Sequence, residues 1–183
     1  MAVRFRRTAI VGILLLATGV PLAAKHRAHH TATPAPLASA SLALADGSPA
    51  GTASLHVSHG KASLRLALKG LPPGVHGIHL HAVGKCEAPE FKTAGGHLNP
   101  AMHQHGTLNP MGHHLGDLPN VTADATGRVT TTLPLESDAA SLPAALFDAD
   151  GTALVIHAGP DDYKTDPSGN SGGRIACGVL TRG

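Results

Sequence analysis

The chain has 183 residues, of which 42% are hydrophobic and only 2% aromatic, with 14 Lys+Arg against 12 Asp+Glu. That length suits one domain. The near-neutral charge and the lack of Trp exclude the basic field and the stacking platforms that a nucleic-acid partner would need. Two excesses remain: 14 His, which point to metal or proton chemistry, and 22 Gly with 14 Pro, which point to many turns and a β-rich chain.

The N-terminus reads as an address. Arg4, Arg6 and Arg7 precede the uncharged apolar run Thr8 to Val20, and Pro21-Leu22-Ala23-Ala24 offers small residues for cleavage. A run of about 13 apolar residues is short for a bilayer, so residues 1–24 are expected to be a signal peptide, leaving no stable membrane span once cleaved. No Cys follows the run, which argues against a lipoprotein, and Arg6-Arg7 leaves both export routes open. Cleavage removes three Arg, leaving 11 basic residues against 12 acidic ones, so the mature chain is near −1 with His neutral. Residues 25–38 are rich in Ala, Pro, Thr and His without a hydrophobic period, and are expected to be a disordered linker. Its His26, His29 and His30 read as part of a solvated leader, with a loose metal-capture tail as the alternative.

Residues 39–183 are the expected folded domain. Leu37 to Ala45 alternates loosely and ends at the turn signal Asp46-Gly47. Gly51 to Val57 and Ala62 to Lys69 follow; in the second, Leu64, Leu66 and Leu68 alternate with Arg65, Ala67 and Lys69, the period of a half-buried strand. Val75 to Val83 is the next expected strand. From Gly84 to about Pro119 no helix or strand period is visible, and a loop of that length is usually functional. Something other than a hydrophobic core must order it, and bound metal would. Asn120 to Ala123 and Arg128 to Leu133 flank the hairpin signal Asp124-Ala125-Thr126-Gly127. Residues 134–150 read as an irregular connection, Thr152 to His157 as a strand, Gly159 to Gly173 as a second polar loop, and Arg174 to Thr181 as the closing strand. The fold expected is therefore all-β: an eight-stranded Greek-key barrel or sandwich with two long functional loops.

Cys86 and Cys177 are the only cysteines. In an exported chain two Cys most simply form one disulfide. Its loop of roughly 90 residues is worth about 4–5 kcal/mol in the chain-entropy model. With no CxxC, a Cys metal site or a Cys nucleophile is the weaker reading.

The histidines carry the chemistry. His79 and His81 are two apart in an expected strand, so both imidazoles face one side and can reach one ion. His97, His105, His114 and Asp117 follow in the long loop, and imidazoles with one carboxylate suit zinc. His157 ends a distant strand, and imidazole-rich sites suit copper and zinc alike.

Four segments, in this order, resemble the signatures of copper–zinc superoxide dismutases, and in particular the exported bacterial branch: Gly77-Ile78-His79-Leu80-His81, Gly96-His97-Leu98-Asn99-Pro100, His114-Leu115-Gly116-Asp117-Leu118 and Gly173-Arg174-Ile175-Ala176-Cys177-Gly178-Val179. The resemblance covers about residues 40–183. It implies a β-sandwich and one copper and one zinc per subunit. By this resemblance His79, His81 and His157 are copper ligands, and His97 bridges copper and zinc. His105, His114 and Asp117 complete the zinc set. Asp161 is the carboxylate that links ligands of the two sites. Arg174 stands beside the open copper face as a catalytic residue together with His97, and the Cys86–Cys177 disulfide ties the metal loop to the strand bearing Arg174. The His-x-Gly-Asp pattern selects His114 over His113, and the spacing from His97 selects His105 over His103. His76 is expected to hold backbone; His56, His59, His103 and His113 read as surface residues.

The substrate so implied is superoxide, converted to dioxygen and hydrogen peroxide in the periplasm, with Lys85, Lys92 and Lys164 as candidate steering charges. A monomer and a homodimer both fit the family. Two features depart from its pattern: Ile78 where Phe is usual, and Tyr163-Lys164-Thr165-Asp166-Pro167 in place of the acidic stretch of animal enzymes. A non-catalytic copper-delivery module on the same fold is the alternative, but it would need neither Arg174 nor a bridging His97. A copper-only dismutase would lack His105, His114 and Asp117.

Overall fold

Alternation of buried and more exposed side chains along Ala38–Leu44 and Lys61–Leu68 sets the inner face of the sheet. The structure, a computed structural model, describes residues 1–2 and 35–183. Residues 3–24 of the expected signal peptide and residues 25–34 of the expected linker, with His26, His29 and His30, lie outside the described residues. The described strands are β1 (Ala38–Leu44), β2 (Pro49–Ser58), β3 (Lys61–Leu68), β4 (Gly74–His76), β5 (Ile78–His81), β6 (Val121–Ala123), β7 (Val129–Leu135), β8 (Ala153–His157), β9 (Arg174–Val179) and β10 (Thr181–Arg182).

The main sheet is antiparallel, in the order β5-β8-β9-β1-β2-β3-β7, with β10 also on β1. The crossovers from β3 to β5 and from β7 to β8 skip neighbours, as a Greek key requires. A small sheet pairs β4 with β6. β4 leads through Gly77 into β5, and β6 leads through the turn at Asp124–Gly127 into β7, the two edges of the main sheet, so the sheet curls on itself. This closure protects edges that would otherwise pair with another chain.

Register explains the core. Leu55 faces Leu64, and Ala53 faces Leu66, across β2 and β3, while Leu64 faces Leu133 across β3 and β7. These leucines are buried and Arg65 is exposed, as the alternation requires. Each fully buried Leu contributes about 1.5–3 kcal/mol relative to an exposed one. Strand β8 is buried on both faces. Leu154 and Ile156 enter the main core, whereas Ala153 and Val155 join Phe91, Ala94 and Cys177 in a second small cluster. The segment around a single 3-10 turn, Lys92–Ala94, covers the outer face of the sheet there.

Three local differences from the sequence expectation have physical causes. The expected strand Val75 to Val83 breaks at Gly77: His76 pairs with β6, Ile78 pairs with β8, and Gly77 N donates to Gly159 O at 2.8 Å. A Cβ on Gly77 would stand 2.9 Å from Ser171 Cβ, so only glycine fits the break. The expected closing strand divides at Leu180, whose N donates to Thr152 O at 2.9 Å. This makes ten strand segments from the eight expected, of which eight belong to the main sheet. Within the expected irregular connection, Leu142–Leu146 forms a short helix, α1, with Leu142 and Leu146 buried in the main core.

The long loop has anchors of its own. Leu98 and Leu118 are buried in the main core. Its backbone also lies along β5: Leu98 N donates to Leu80 O at 2.8 Å and Leu80 N donates to Gly116 O at 2.9 Å. Gly116 permits this approach, because a Cβ there would fall 2.2 Å from Leu80 O.

Candidate metal centre

Alternation along β5 sends Ile78 and Leu80 into the core and His79 and His81 to the outer face, under the long loop. Bridges pair His79 with Asp117 and His81 with His97, so the loop returns its polar side chains to the strand that carries the His-x-His pair. His157 stands beside them at the end of β8, opposite Arg174 of β9, where the register shifts between Ile156 and His157. Such a bulge re-aims a side chain.

Two donor groups result, and they share His97. His79, His81, His97 and His157 each offer a ring nitrogen within 4.8 Å of the others; so do His97, His105 and His114 with a carboxylate oxygen of Asp117. In the first group His79 Nδ1, His81 Nε2, His97 Nε2 and His157 Nε2 are buried and have no hydrogen-bond partner. Four converging, unpartnered, buried lone pairs are costly unless an ion takes them. The opposite nitrogens are held: His81 Nδ1 donates to Gly95 O at 2.9 Å, His157 Nδ1 to Gly172 O at 3.2 Å and His79 Nε2 to Asp161 Oδ2 at 2.8 Å. These bonds orient each ring and leave the free nitrogen as a ligand. Four imidazoles without thiolate suit copper(II).

The second group is tighter. Asp117 Oδ1 lies 2.8 Å from His97 Nδ1, 3.0 Å from His105 Nδ1 and 3.2 Å from His114 Nδ1, and the His97 and His114 Nδ1 atoms are 3.3 Å apart. A tetrahedral ion with bonds of about 2.0–2.1 Å separates its donors by about 3.3 Å, so three imidazoles and one carboxylate fit zinc. Asp117 is itself held by Gly106 N and His114 N, which donate to Oδ2 at 2.8 and 3.0 Å.

Electrostatics sets the groups apart. Burial, and then the neighbouring His97, push His81 down to about 2. Burial and the nearby His79 push His157 down to about 3. Burial lowers His97 to about 4 against the opposing pull of Asp117. These rings are neutral at physiological pH, as ligands must be. Burial also opposes charge on His105, but hydrogen bonds to Asp117 and Asp161 outweigh it and raise the ring to about 9. Burial pushes both carboxyls up, and hydrogen bonds from His105 with His97 (Asp117) or His79 (Asp161) hold them well below the usual carboxylate range.

Arg174 lines a cavity of about 380 Å³ together with His81, His97, His114 and His157. Its Nη1 donates to Phe91 O at 2.7 Å and its Nη2 to Gly95 O at 2.6 Å. Both acceptors lie on the segment that the Cys86–Cys177 disulfide ties to β9. Burial lowers the Arg174 pKa somewhat, but a guanidinium stays charged.

Some positioning residues carry no sequence signal. Asn120 accepts from Asp161 N at 2.9 Å and donates to Asp161 O at 2.9 Å, which fixes the Asp161 backbone. The Tyr163 hydroxyl in turn accepts from Asn120 N at 2.8 Å. The ring nitrogens of His76 face His157 O and Pro72 O at 2.8 and 2.7 Å, so it binds backbone. Ile78 fills a fully buried core position.

The family model described as copper/zinc superoxide dismutase matches residues 49–180. A protein of Aquifex aeolicus named superoxide dismutase [Cu-Zn] 1 is 46% identical over 137 residues, 73% of this chain and 81% of that protein. Superoxide dismutase [Cu-Zn] of Caulobacter vibrioides is 46% identical over 140 residues, covering 74% of this chain and 80% of its own. Among solved structures, a SOD-like protein from Bacillus subtilis superposes with a TM-score of 0.73 at 37% identity, covering 78% of this chain and 97% of its own. A match through most of the described domain, with relatives of this identity over nearly three quarters of the chain, makes it a member of the copper/zinc superoxide dismutase family.

Proposed function

We propose that His79, His81, His97 and His157 hold copper, that His97, His105, His114 and Asp117 hold zinc, and that His97 bridges the two. Membership of the family makes the chain an oxidoreductase that dismutates superoxide and uses copper and zinc. The observation that carries the finer reading is the set of four unpartnered buried ring nitrogens beside a tetrahedral donor set that shares His97.

When bound, copper supplies the one-electron chemistry, and redox-silent zinc supplies fixed positive charge. Two superoxide anions and two protons give dioxygen and hydrogen peroxide. The chain's own residues do the rest. Superoxide is small and offers little area to bind, so a fixed cation must capture it. Arg174 does so: two of its five donors are used by Phe91 O and Gly95 O, and the others remain for the anion. His97, which lines the same cavity as Arg174, takes up and returns a proton at Nε2, its buried nitrogen without a hydrogen-bond partner. Asp161 keeps His79 and His105 in fixed orientation.

The reading extends to the cell envelope. The Arg-rich start, the short apolar run and the small residues near Ala24 support export to the periplasm after removal of residues 1–24, with residues 39–183 as the working domain. No helix among the described residues is long and apolar enough to cross a membrane.

The test is to load the mature chain with copper and zinc and measure superoxide dismutation directly, beside Arg174→Ala. Fast turnover that falls in the variant supports both the centre and the role of Arg174. Two bound metals without turnover favour the copper-delivery alternative.

A further inference from the structure

The second loop, Gly159 to Gly173, is tied to the long loop at a residue of the tetrahedral donor set. Asp166 Oδ1 accepts from the backbone N of His105, across 61 residues of sequence. Leu108 N donates to Tyr163 O at 3.0 Å, close by in both loops. Gly169 passes directly over the His105 ring: an added Cβ would stand 1.7 Å from Asp161 Oδ1 and 2.8 Å from His105 Nε2. His105 is fully buried, whereas Asp166 is exposed. A backbone amide on a buried residue needs an acceptor, and an exposed carboxylate supplies it here.

That contact fixes more than itself. Asp166 is followed by Pro167 and Ser168, which with Gly172 line the same cavity as Arg174, His81, His97 and His157. The far end of this wall is held separately: Ser171 Oγ donates to Ser168 O at 2.8 Å, and Gly159 N donates to Ser171 O at 2.8 Å, just beyond the end of β8. Asp166 ties the near end. A negative charge one residue from this wall works against an anionic substrate. The accepting oxygen, rather than the charge, is therefore what the position supplies.

We propose that Asp166 is a positioning residue. By accepting from the His105 amide it sets the Pro167–Ser168 wall of the cavity against the long loop, and so sets how tightly a small anion seats beside Arg174. It acts through His105 and Pro167 rather than by contact with the substrate. The proposal rests on the reading of this cavity as the place where the anion binds.

The experiment compares Asp166→Ala and Asp166→Asn with the parent in the full mature protein loaded with copper and zinc. Alanine removes the acceptor, whereas asparagine keeps an accepting oxygen and loses the charge. The probe is azide, a small monoanion, titrated while its absorption band with copper(II) is followed. We expect the azide Kd to rise about two- to tenfold in the alanine variant, the range of one lost hydrogen bond, and to stay at or below the parent value in the asparagine variant. The His105 amide should exchange with deuterium faster in the alanine variant and at the parent rate in the asparagine variant. An alanine variant with the parent's azide affinity overturns the proposal, as does an asparagine variant as weak as the alanine one. Loss of zinc from the alanine variant overturns it too, because Asp166 would then serve the donor set rather than the wall. A parent protein that binds no azide overturns the reading of the cavity, and the proposal falls with it.

Discussion

Asp161 joins the two donor groups through its carboxylate: Oδ2 accepts from His79 Nε2 at 2.8 Å and Oδ1 accepts from His105 Nε2 at 2.9 Å. All three side chains are fully buried. An Asn at this position has one accepting oxygen, so one ring would lose its partner. Leaving a buried donor unpaired costs about 1–3 kcal/mol, and losing such an outer carboxylate typically weakens metal binding about 10–100-fold. Asp161→Asn should therefore release copper to a competing chelator about 10–100-fold more readily while the barrel stays folded. Unchanged retention would remove Asp161 from the positioning role.

Arg174 offers a test of capture. In Arg174→Ala, kcat/KM should fall on the order of tenfold or more, and its dependence on ionic strength should flatten, because salt then has less attraction to screen. Arg174→Lys keeps the charge but not the planar fork that spans Phe91 O and Gly95 O. Stopped-flow kinetics at several salt concentrations should place it between the parent and the alanine variant. An alanine variant with the parent rate and salt slope would contradict the capture role.

Much of this architecture was legible in the sequence because it rests on period-two alternation. Leu64, Leu66 and Leu68 announce β3, and the His79-x-His81 spacing puts both imidazoles on one face. What was not legible depends on the partner across the gap. The break at Gly77 exists because the chain passes Ser171 and changes from β6 to β8, and no local pattern encodes that. The acceptors of Arg174 are the carbonyls of Phe91 and Gly95, which any residue could supply. Helix α1 has five residues, too few to show a helical period. The long loop looked as if metal alone would order it, because the single buried residues Leu98 and Leu118 make no repeating pattern.

Glu90 gives a gain-of-function prediction. It lines the same surface cleft as Arg174, and its Oε2 pairs with Lys92 Nζ at 2.8 Å, both side chains being largely exposed. The pair adds little stability, but it cancels a positive charge at the approach to Arg174. Glu90→Gln should raise kcat/KM at low ionic strength by about twofold, and the gain should vanish in high salt. A slower variant would mean that Lys92 needs Glu90 to hold it in place.

The Cys86–Cys177 disulfide should affect rate as well as stability. Its two residues are 91 apart in sequence, and Cys177 is buried in the small cluster with Phe91 and Ala94. Cys86→Ser with Cys177→Ser should destabilise the chain by about 2–5 kcal/mol in denaturant titration. Freed from β9, the segment carrying Phe91 O and Gly95 O would no longer hold the guanidinium. Kinetics under conditions where the double variant remains folded should therefore show a lower kcat/KM with copper and zinc contents unchanged. A folded variant with the parent rate would show that the cluster around Phe91 orders the segment without the bridge.

Asp162 organises the second loop and predicts an acid limit for it. Its Oδ1 accepts from Lys164 N at 3.0 Å and Thr165 N at 2.9 Å, and its Oδ2 accepts from Thr165 Oγ1 at 2.6 Å and Asn170 Nδ2 at 3.0 Å. The Thr165 hydroxyl, followed by the Thr165 and Lys164 amides, holds the carboxyl down to about 2 from its ordinary 3.8. A carboxyl depressed in the folded state supports the fold fully above its unfolded value, and that support is lost as pH falls through the folded value. The loop should therefore keep its hydrogen bonds above pH 3.8 and lose them as pH falls toward about 2. The amide signals of Lys164 and Thr165 should titrate together in that window by nuclear magnetic resonance, and Asp162→Asn should abolish the step. Titration at or above the ordinary carboxylate value would mean that these four contacts do not hold the loop in solution.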